Sequence, residues 1–378
     1  MPDIMNTVPD QNRAEAIRAA QAALPPESVR RILVCQLRQI GDVLLSTPSL
    51  ELLARRFPGA EIHMFTEKKC VPMLQGNPHV SRIWAVDKKS LPTIFHELAF
   101  YRKVTAEKFD LAVDFQQLPR CRWVMGLSRA KVRLSFPPPW YLRFLYTHWV
   151  KPGRAYAGAY KAGVLAPLGI RWQGERPRLY LNGDEIEAAR VLLDGLGLAG
   201  KPFVTVDATH RHPTRRWPAA HFAALMDMAV DACPELRFLL SYGPGEEEEV
   251  RTLRERCRRR DNIILPPSLL SLREMAACMT QAAMHLGNCS APRHMAVATD
   301  LPTFTILGAT GKGWTFPSPE HTDIQGKEFF DMPCQHCNKN SCPEGSPCLT
   351  RLAPELVFPR FMAHLQSYAR RPEAGDCF

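Results

Sequence analysis

The feature that most constrains the fold is an alternation of short apolar runs with helical segments, and it occurs twice along the chain. Val29 to Gln36 is rich in branched aliphatic residues, as expected of a strand buried on both faces. It runs into Leu37-Arg38-Gln39-Ile40-Gly41-Asp42, after which Val43, Leu44, Leu50, Leu53 and Ala54 recur on one helical stripe that stops at Phe57-Pro58-Gly59. Ala60 to Phe65, Ile83 to Val86 and Leu111 to Asp114 continue the series as strands, with a helix expected after Pro92. The pattern restarts beyond a polar, proline-rich stretch. Strands are expected at Phe203 to Val206, Leu236 to Tyr242, Ile263 to Leu265, Ala283 to Leu286 and Thr303 to Leu307, with helices between them and a closing helix from about Pro354 to Tyr368.

Alternation of this kind predicts parallel sheets covered by helices on both faces. The fold class expected is therefore α/β, with two Rossmann-like domains facing across a cleft. The boundaries expected are a polar tail over 1–27, an N-terminal domain over 28–175, a C-terminal domain over 200–350 and the closing helix within 351–370. A short Ala-rich helix is expected in the tail at Gln11 to Leu24.

No window approaches about 18 uninterrupted apolar residues, so no transmembrane helix is expected. Residues 1–27 carry Asp3, Asp10 and Glu15 and lack an apolar core, which argues against a signal peptide and for a cytoplasmic protein. The 48 basic and 38 acidic residues leave a net charge of +10, which favours an anionic partner. No nucleic-acid-binding motif accompanies it, so nucleic acid is not expected. Arg120 to Lys151 interleaves basic residues with Trp123, Phe136, Trp140, Tyr141, Phe144, Tyr146 and Trp149. It reads either as a face for an anionic lipid surface or as a packed helical region with a charged exterior.

Three turns between strand and helix hold residues suited to chemistry. Asp42 stands at the carboxyl edge of the first sheet, where open α/β folds bind ligands, and Gly41 permits close backbone approach. A carboxylate there either takes a proton from an attacking hydroxyl or caps the helix. Thr209 to Pro218 contains Arg215 and Arg216, adjacent guanidiniums that suit a diphosphate or a solvated basic loop. Asn288 to His294 offers the amides of a helix start to a phosphate, or is ordinary capping by Ser290.

Together these segments resemble the bacterial heptosyltransferases of glycosyltransferase family nine. The likeness is carried by Leu37 to Pro48 (LRQIGDVLLSTP), Phe57 to Ile62, Arg215-Arg216-Trp217-Pro218 and the Asn-x-Ser-x-Pro-x-His pattern of Asn288 to His294, in order over about residues 29 to 368. The resemblance implies the B-type glycosyltransferase fold and inverting transfer of heptose from ADP-heptose to the lipopolysaccharide inner core at the inner membrane surface, without a catalytic metal. It implies Asp42 as general base, with Arg38, Gln39 and Gly41 on the acceptor side. It implies Arg215, where the family usually has Lys, as the cation facing the leaving diphosphate, with Arg216 beside it and Thr209 donating to phosphate. Ser290 and His294 fall in the donor motif, Glu247 is expected at the ribose, and Leu270 and Ser271 at the adenine. The chain departs from the pattern at Cys289, where Asp is usual, at Ala291 for Gly, and at Gln36, where many members have Arg. The first departure leaves another donor, a protein acceptor, a sugar-nucleotide epimerase or a non-catalytic scaffold as alternatives.

Twelve cysteines are present; eight are scattered and expected to be buried apolar groups or reduced thiols. Cys334, Cys337, Cys342 and Cys348 lie in one polar loop and match a structural tetrahedral site for zinc or iron, with free thiols or two disulfides as alternatives. His336 is a further candidate ligand. In related protein-modifying heptosyltransferases such a loop holds iron, and four ligands would leave no open position for chemistry.

Overall fold

The computed structural model describes residues 24–370; the helix expected in the tail lies outside the described residues, apart from Leu24. The chain divides into two compact units, Met1–Tyr180 and Leu181–Phe378.

In the first unit the strands are β1 (Arg31–Cys35), β2 (Glu61–Glu67), β3 (Arg82–Val86), β4 (Leu111–Asp114), β5 (Val132–Ser135) and β6 (His148–Trp149). They form one sheet in the order β3-β2-β1-β4-β5-β6, every pair parallel. The stripe expected as one helix is broken into α1 (Ile40–Leu44) and α2 (Thr47–Arg56), because Pro48 takes the start of a new helix where its missing N–H costs nothing. Helices α3 (Ile94–Thr105), α4 (Pro119–Ser128) and α5 (Ala157–Ala162) complete the layers. Leu33, Cys35, Phe65, Tyr101, Val124 and Met125 fill one core beneath them, each essentially without exposure.

The second unit opens on α6 (Gly183–Gly195), a helix not expected in the stretch between the two series. Asn182 caps it in a reciprocal box with Glu185, and Arg273 pairs with Glu185 from α9 (Leu272–Gln281). Its strands are β7 (Phe203–Asp207), β8 (Arg237–Ser241), β9 (Ile263–Ile264), β10 (Met284–Asn288), β11 (Thr303–Leu307) and β12 (His321–Gln325). The order β12-β11-β10-β7-β8-β9 is again all parallel and repeats the first sheet's winding. Around it lie α7 (Ala219–Ala232), α8 (Glu247–Arg256), α9, α10 (Ala291–Ala298), the short α11 (Pro347–Thr350) and α12 (Pro354–Tyr368), whose Val357, Phe361 and Leu365 join the core.

Each sheet thus reverses direction once, between β1 and β4 and between β7 and β10. Such switch points part the loops above the carboxyl ends of the two central strands, and ligands bind there. The three segments singled out in the sequence follow β1, β7 and β10.

Candidate active site

Asp42 occupies the third position of α1, not its cap; Gln39 is the cap residue. The Gln39 N–H reaches Asp42 Oδ2 at 3.3 Å, so the carboxylate satisfies an end of its own helix. Its other oxygen, Oδ1, meets Lys161 Nζ at 3.3 Å. Lys161 is buried, its side chain 9% exposed against 28% for Asp42, and it donates to Gln36 Oε1 at 2.7 Å. Gln36 in turn donates to the Arg38 carbonyl at 2.8 Å. From the strand next door, Gln116 Oε1 accepts the Leu37 and Arg38 N–H groups at 3.0 and 3.1 Å. Arg38 and Gln39 are exposed and Gly41 is buried, so the turn presents its polar residues outward and is anchored from both sides of the switch point.

In the second unit the loops after β7 and β10 are tied together. Trp217 is fully buried, edge-on to Phe222, and its indole donates to the Leu352 carbonyl at 2.8 Å. Its N–H donates to Asn288 Oδ1 at 2.9 Å, while the Asn288 amide reaches the Thr209 carbonyl at 3.3 Å. The tryptophan of the Arg-Arg-Trp-Pro run is therefore an anchor that fixes the two arginines before it. Gly308 makes room for the same loop: a Cβ there would lie 2.2 Å from the Thr214 carbonyl oxygen.

Arg216 is paired with Glu249 at 2.5 Å. Arg215 is partly buried, and its side chain has no ion-pair partner among the described residues; its buried Nε has no hydrogen-bond acceptor. Burial and the Arg215 charge lower the pKa of His210, two residues past the start of this loop's turn, to about 4, so the imidazole is neutral and adds no competing charge.

The same loops bring together two carboxylates that the sequence reading missed, Asp207 buried and Glu246 partly buried. Burial pushes the Asp207 carboxyl up to about 7, and Glu246 adds to the effect. Ser290 donates to Asp207, and Thr209 Oγ1 donates to Glu246 Oε2 at 2.7 Å with Asp207 Oδ1 at 3.3 Å. Thr209 and Ser290 are thus both turned to carboxylates. Glu246 also accepts the Gly243 N–H at 2.8 Å, whereas Glu247 points to the surface and pairs with Arg251 at 2.8 Å. Ser271 caps α9 in a box with Glu274, and Leu270 before it is partly buried.

His294 is buried on α10 against Trp314, and burial beside Arg293 lowers its pKa to about 3. Arg293 itself is fully buried and touches Cys289 Sγ at 3.4 Å and Thr315, without a carboxylate partner among the described residues. A signal for Asp207 lay in the run Phe203-Val-Thr-Val-Asp, a strand ending on an acid at the sheet edge; Lys161 carried none, since nothing in its helix links it to Asp42.

The cysteine loop serves the basic loop from below. Thr214 Oγ1 donates to the Lys339 carbonyl at 2.7 Å, and Asn338 N–H to the Ala309 carbonyl at 3.0 Å. A cavity of about 500 Å³ lies between the two loops, lined by Arg216, Trp217, Cys342 and Ser346. Cys334 and Cys337 are exposed, Cys342 and Cys348 partly buried, and all four are free. The Cys348 thiol is pushed up to about 11, first by burial and then by Cys334, Cys342 and Cys337 around it. No group of three or more potential ligands among the described residues is arranged to hold a metal ion, so the zinc or iron site expected has no support in the arrangement of the thiols. His336 is engaged instead, Nε2 with Gln325 Oε1 at 2.6 Å and Nδ1 with Lys327 Nζ at 3.2 Å.

The sequence model of glycosyltransferase family 9 (heptosyltransferase) matches residues 98–346, well over half of the chain. The chain belongs to that family. As a member it is a glycosyltransferase and not an epimerase or a scaffold. Lipopolysaccharide heptosyltransferase 3 of Escherichia coli is 25% identical over 282 residues, 71% of this chain and 81% of the relative. Among solved structures, a family 9 glycosyltransferase from Veillonella parvula superposes with a TM-score of 0.77 at 20% identity, covering 89% of this chain and 97% of that one. The ADP-heptose lipopolysaccharide heptosyltransferase II of E. coli gives 0.72 at 16%, covering 89% and 98%. The B-type glycosyltransferase fold expected from the sequence is borne out by these neighbours.

Proposed function

We propose that this family 9 glycosyltransferase moves a heptose from ADP-heptose onto the inner core of lipopolysaccharide, with inversion and without a catalytic metal. The observation that carries the donor side is Arg215: a partly buried guanidinium with no ion-pair partner among the described residues, beside the switch point of the second sheet. A diphosphate would supply that partner, and the planar fork of guanidinium donors suits phosphate oxygens. Arg216, Ser290 and the amides at the start of α10 are assigned to the same donor, and Glu246 or Glu247 to the ribose. Leu270 and Ser271 are assigned to the adenine.

Asp42 is the proposed base. It accepts the proton of an acceptor hydroxyl as that oxygen bonds to the anomeric carbon; the bond from that carbon to the diphosphate breaks, and ADP leaves with the electron pair. Arg215 offsets the charge developing on the leaving group. The acceptor would be met at an anionic membrane face. No helix among the described residues is long and apolar enough to cross a membrane. Yet Trp140, Tyr141 and Phe144 stand 79%, 55% and 74% exposed on a turn that packs against α4, and Arg143 lies over Trp149. From Phe115 to Gly174 there is no acidic residue and ten basic ones, as many as the chain's whole net charge. Exposed aromatics among cations suit a headgroup layer.

The test is donor turnover with ADP-heptose and a deep-rough lipopolysaccharide acceptor, wild type against Asp42→Ala. Acceptor-dependent ADP release lost in the variant is expected; turnover retained by Asp42→Ala, or none in the wild type, would sink the reading. Cys289 beside the unpaired Arg293 favours comparing a second nucleotide sugar in the same assay.

A further inference from the structure

Asp42 does not stand alone at its sheet edge. Its Oδ1 faces the ammonium of Lys161, which projects from α5 into the base of the turn. Gln36, on the strand that leads into the turn, accepts from that ammonium at 2.7 Å. Cys70 lies in the segment packed against α1, and burial keeps its thiol neutral at about 11. The Phe115 ring lies 5.9 Å from Nζ, and Lys69 beside Cys70 is committed to Glu67 at 3.2 Å. Arg38, whose side chain is exposed, accepts from Gln36 through its carbonyl and donates its N–H to Gln116.

We propose that Lys161 is the positioning residue of this transferase's base, holding the Asp42 carboxylate aimed from beneath while Gln36 fixes the ammonium. A buried lysine is costly, and burial does lower its pKa; the Asp42 charge opposes that. Such a group is retained where its charge is used. The geometry gives it one use: Oδ2 takes the Gln39 N–H, Oδ1 takes Lys161, and the outward lone pairs stay free for a hydroxyl proton. Gln36 is neutral, so the charge beneath Asp42 arrives from α5 and not from the end of β1. The inference rests on Asp42 as the base.

The experiment measures kcat and the donor and acceptor KM for sugar transfer at neutral pH in the full-length enzyme. It compares wild type, Asp42→Asn, Lys161→Met, Lys161→Arg and the double variant Gln36→Arg/Lys161→Met. Lys161→Met removes the group that aims the carboxylate and is expected to lower kcat roughly tenfold, with the donor KM within twofold of wild type. Lys161→Arg should keep kcat near wild type, and the double variant should restore it by supplying a cation from the end of β1. An unchanged kcat in Lys161→Met, or a donor KM that rises in step with the loss, overturns the proposal while an inactive Asp42→Asn leaves the base reading intact. An active Asp42→Asn overturns both. If Lys161→Met does not fold, the double variant carries the test: a kcat still about tenfold below wild type despite its restored charge overturns the proposal.

Discussion

Replacing Asp207 with Asn tests whether its buried site is as dry as it looks. The carboxyl is 4% exposed and sits near 7 in the folded chain against 3.8 for an ordinary aspartate, chiefly through burial. The folded state therefore holds a proton that the unfolded chain has already released between about pH 4 and pH 7. Stability falls as pH rises through that window and levels off above it. From pH 5 to pH 8 roughly two pH units of this linkage are traversed, and at about 1.4 kcal/mol each the wild type loses about 2.5 kcal/mol. Asn keeps an acceptor for Ser290 and carries no charge, so the variant lacks the effect. Hydrogen exchange of the β7 and β10 amides reads the opening energy of this unit; comparing variant with wild type at one pH cancels the intrinsic exchange rate and the buried histidines, which titrate in both. The difference in protection should grow by about fiftyfold or more between pH 5 and pH 8, in favour of Asn. A difference that is the same at both pH values refutes the reasoning, because Asp207 would then be ionised in the fold throughout.

Other outcomes follow from the same structure. Arg215→Ala should cost about 2–3 kcal/mol of transition-state binding, seen as a 30- to 150-fold fall in kcat/KM, with partial recovery in Arg215→Lys, because it removes a charge that has no internal partner; an effect below threefold would remove Arg215 from the donor site. Trp217→Ala should destabilise by about 3–5 kcal/mol in thermal or urea unfolding, since it empties a fully buried site and removes the indole's hydrogen bond to the Leu352 carbonyl. Gly308→Ala should lower stability by about 2 kcal/mol or more and reduce activity with it, as its Cβ would strike the Thr214 carbonyl. Cosedimentation with phosphatidylglycerol vesicles should drop at least fivefold in Trp140→Ala/Phe144→Ala, while transfer to a delipidated, water-soluble acceptor stays at the wild-type rate; equal binding by both proteins would count against the membrane face.

The two βα series were legible because a parallel strand buried on both faces must be an unbroken apolar run, and Val29 to Gln36 or Phe203 to Val206 can be little else. β5, β6 and β12 were not: β5 and β12 mix Arg133, Asp323 and Gln325 into their sequences, and β6 is only two residues long. Helix α6 was hidden behind the prolines before it, although Asn182-Gly-Asp-Glu185 spelled a capping box. At the site, the residues found from sequence were those local in the chain, such as Asp42 at its turn and Arg215 before its tryptophan. Those missed act at a distance. Lys161 is 119 positions from Asp42, Glu246 is 37 from Thr209, and Gln116 is 79 from Leu37.

The cysteine loop shows the limit of local spacing. Four cysteines within fifteen residues satisfy the spacing of a metal site, but ligation also requires sulfurs at tetrahedral bonding distances, which spacing does not fix. The loop's backbone has a task besides: Lys339 and Asn338 hold Thr214 and Ala309, and Gln335 reaches the Leu307 carbonyl at 2.9 Å. Those bonds brace the floor under Arg215 and give the loop a structural task of its own. Cys334→Ser/Cys337→Ser should accordingly change neither the metal content of the purified enzyme nor its donor KM. Deleting the Thr214 hydroxyl, in Thr214→Val, should raise that KM several-fold through the arginine it no longer steadies. Chelator-sensitive folding of the wild type, abolished in the double serine variant, would reverse this assignment and return the loop to a metal.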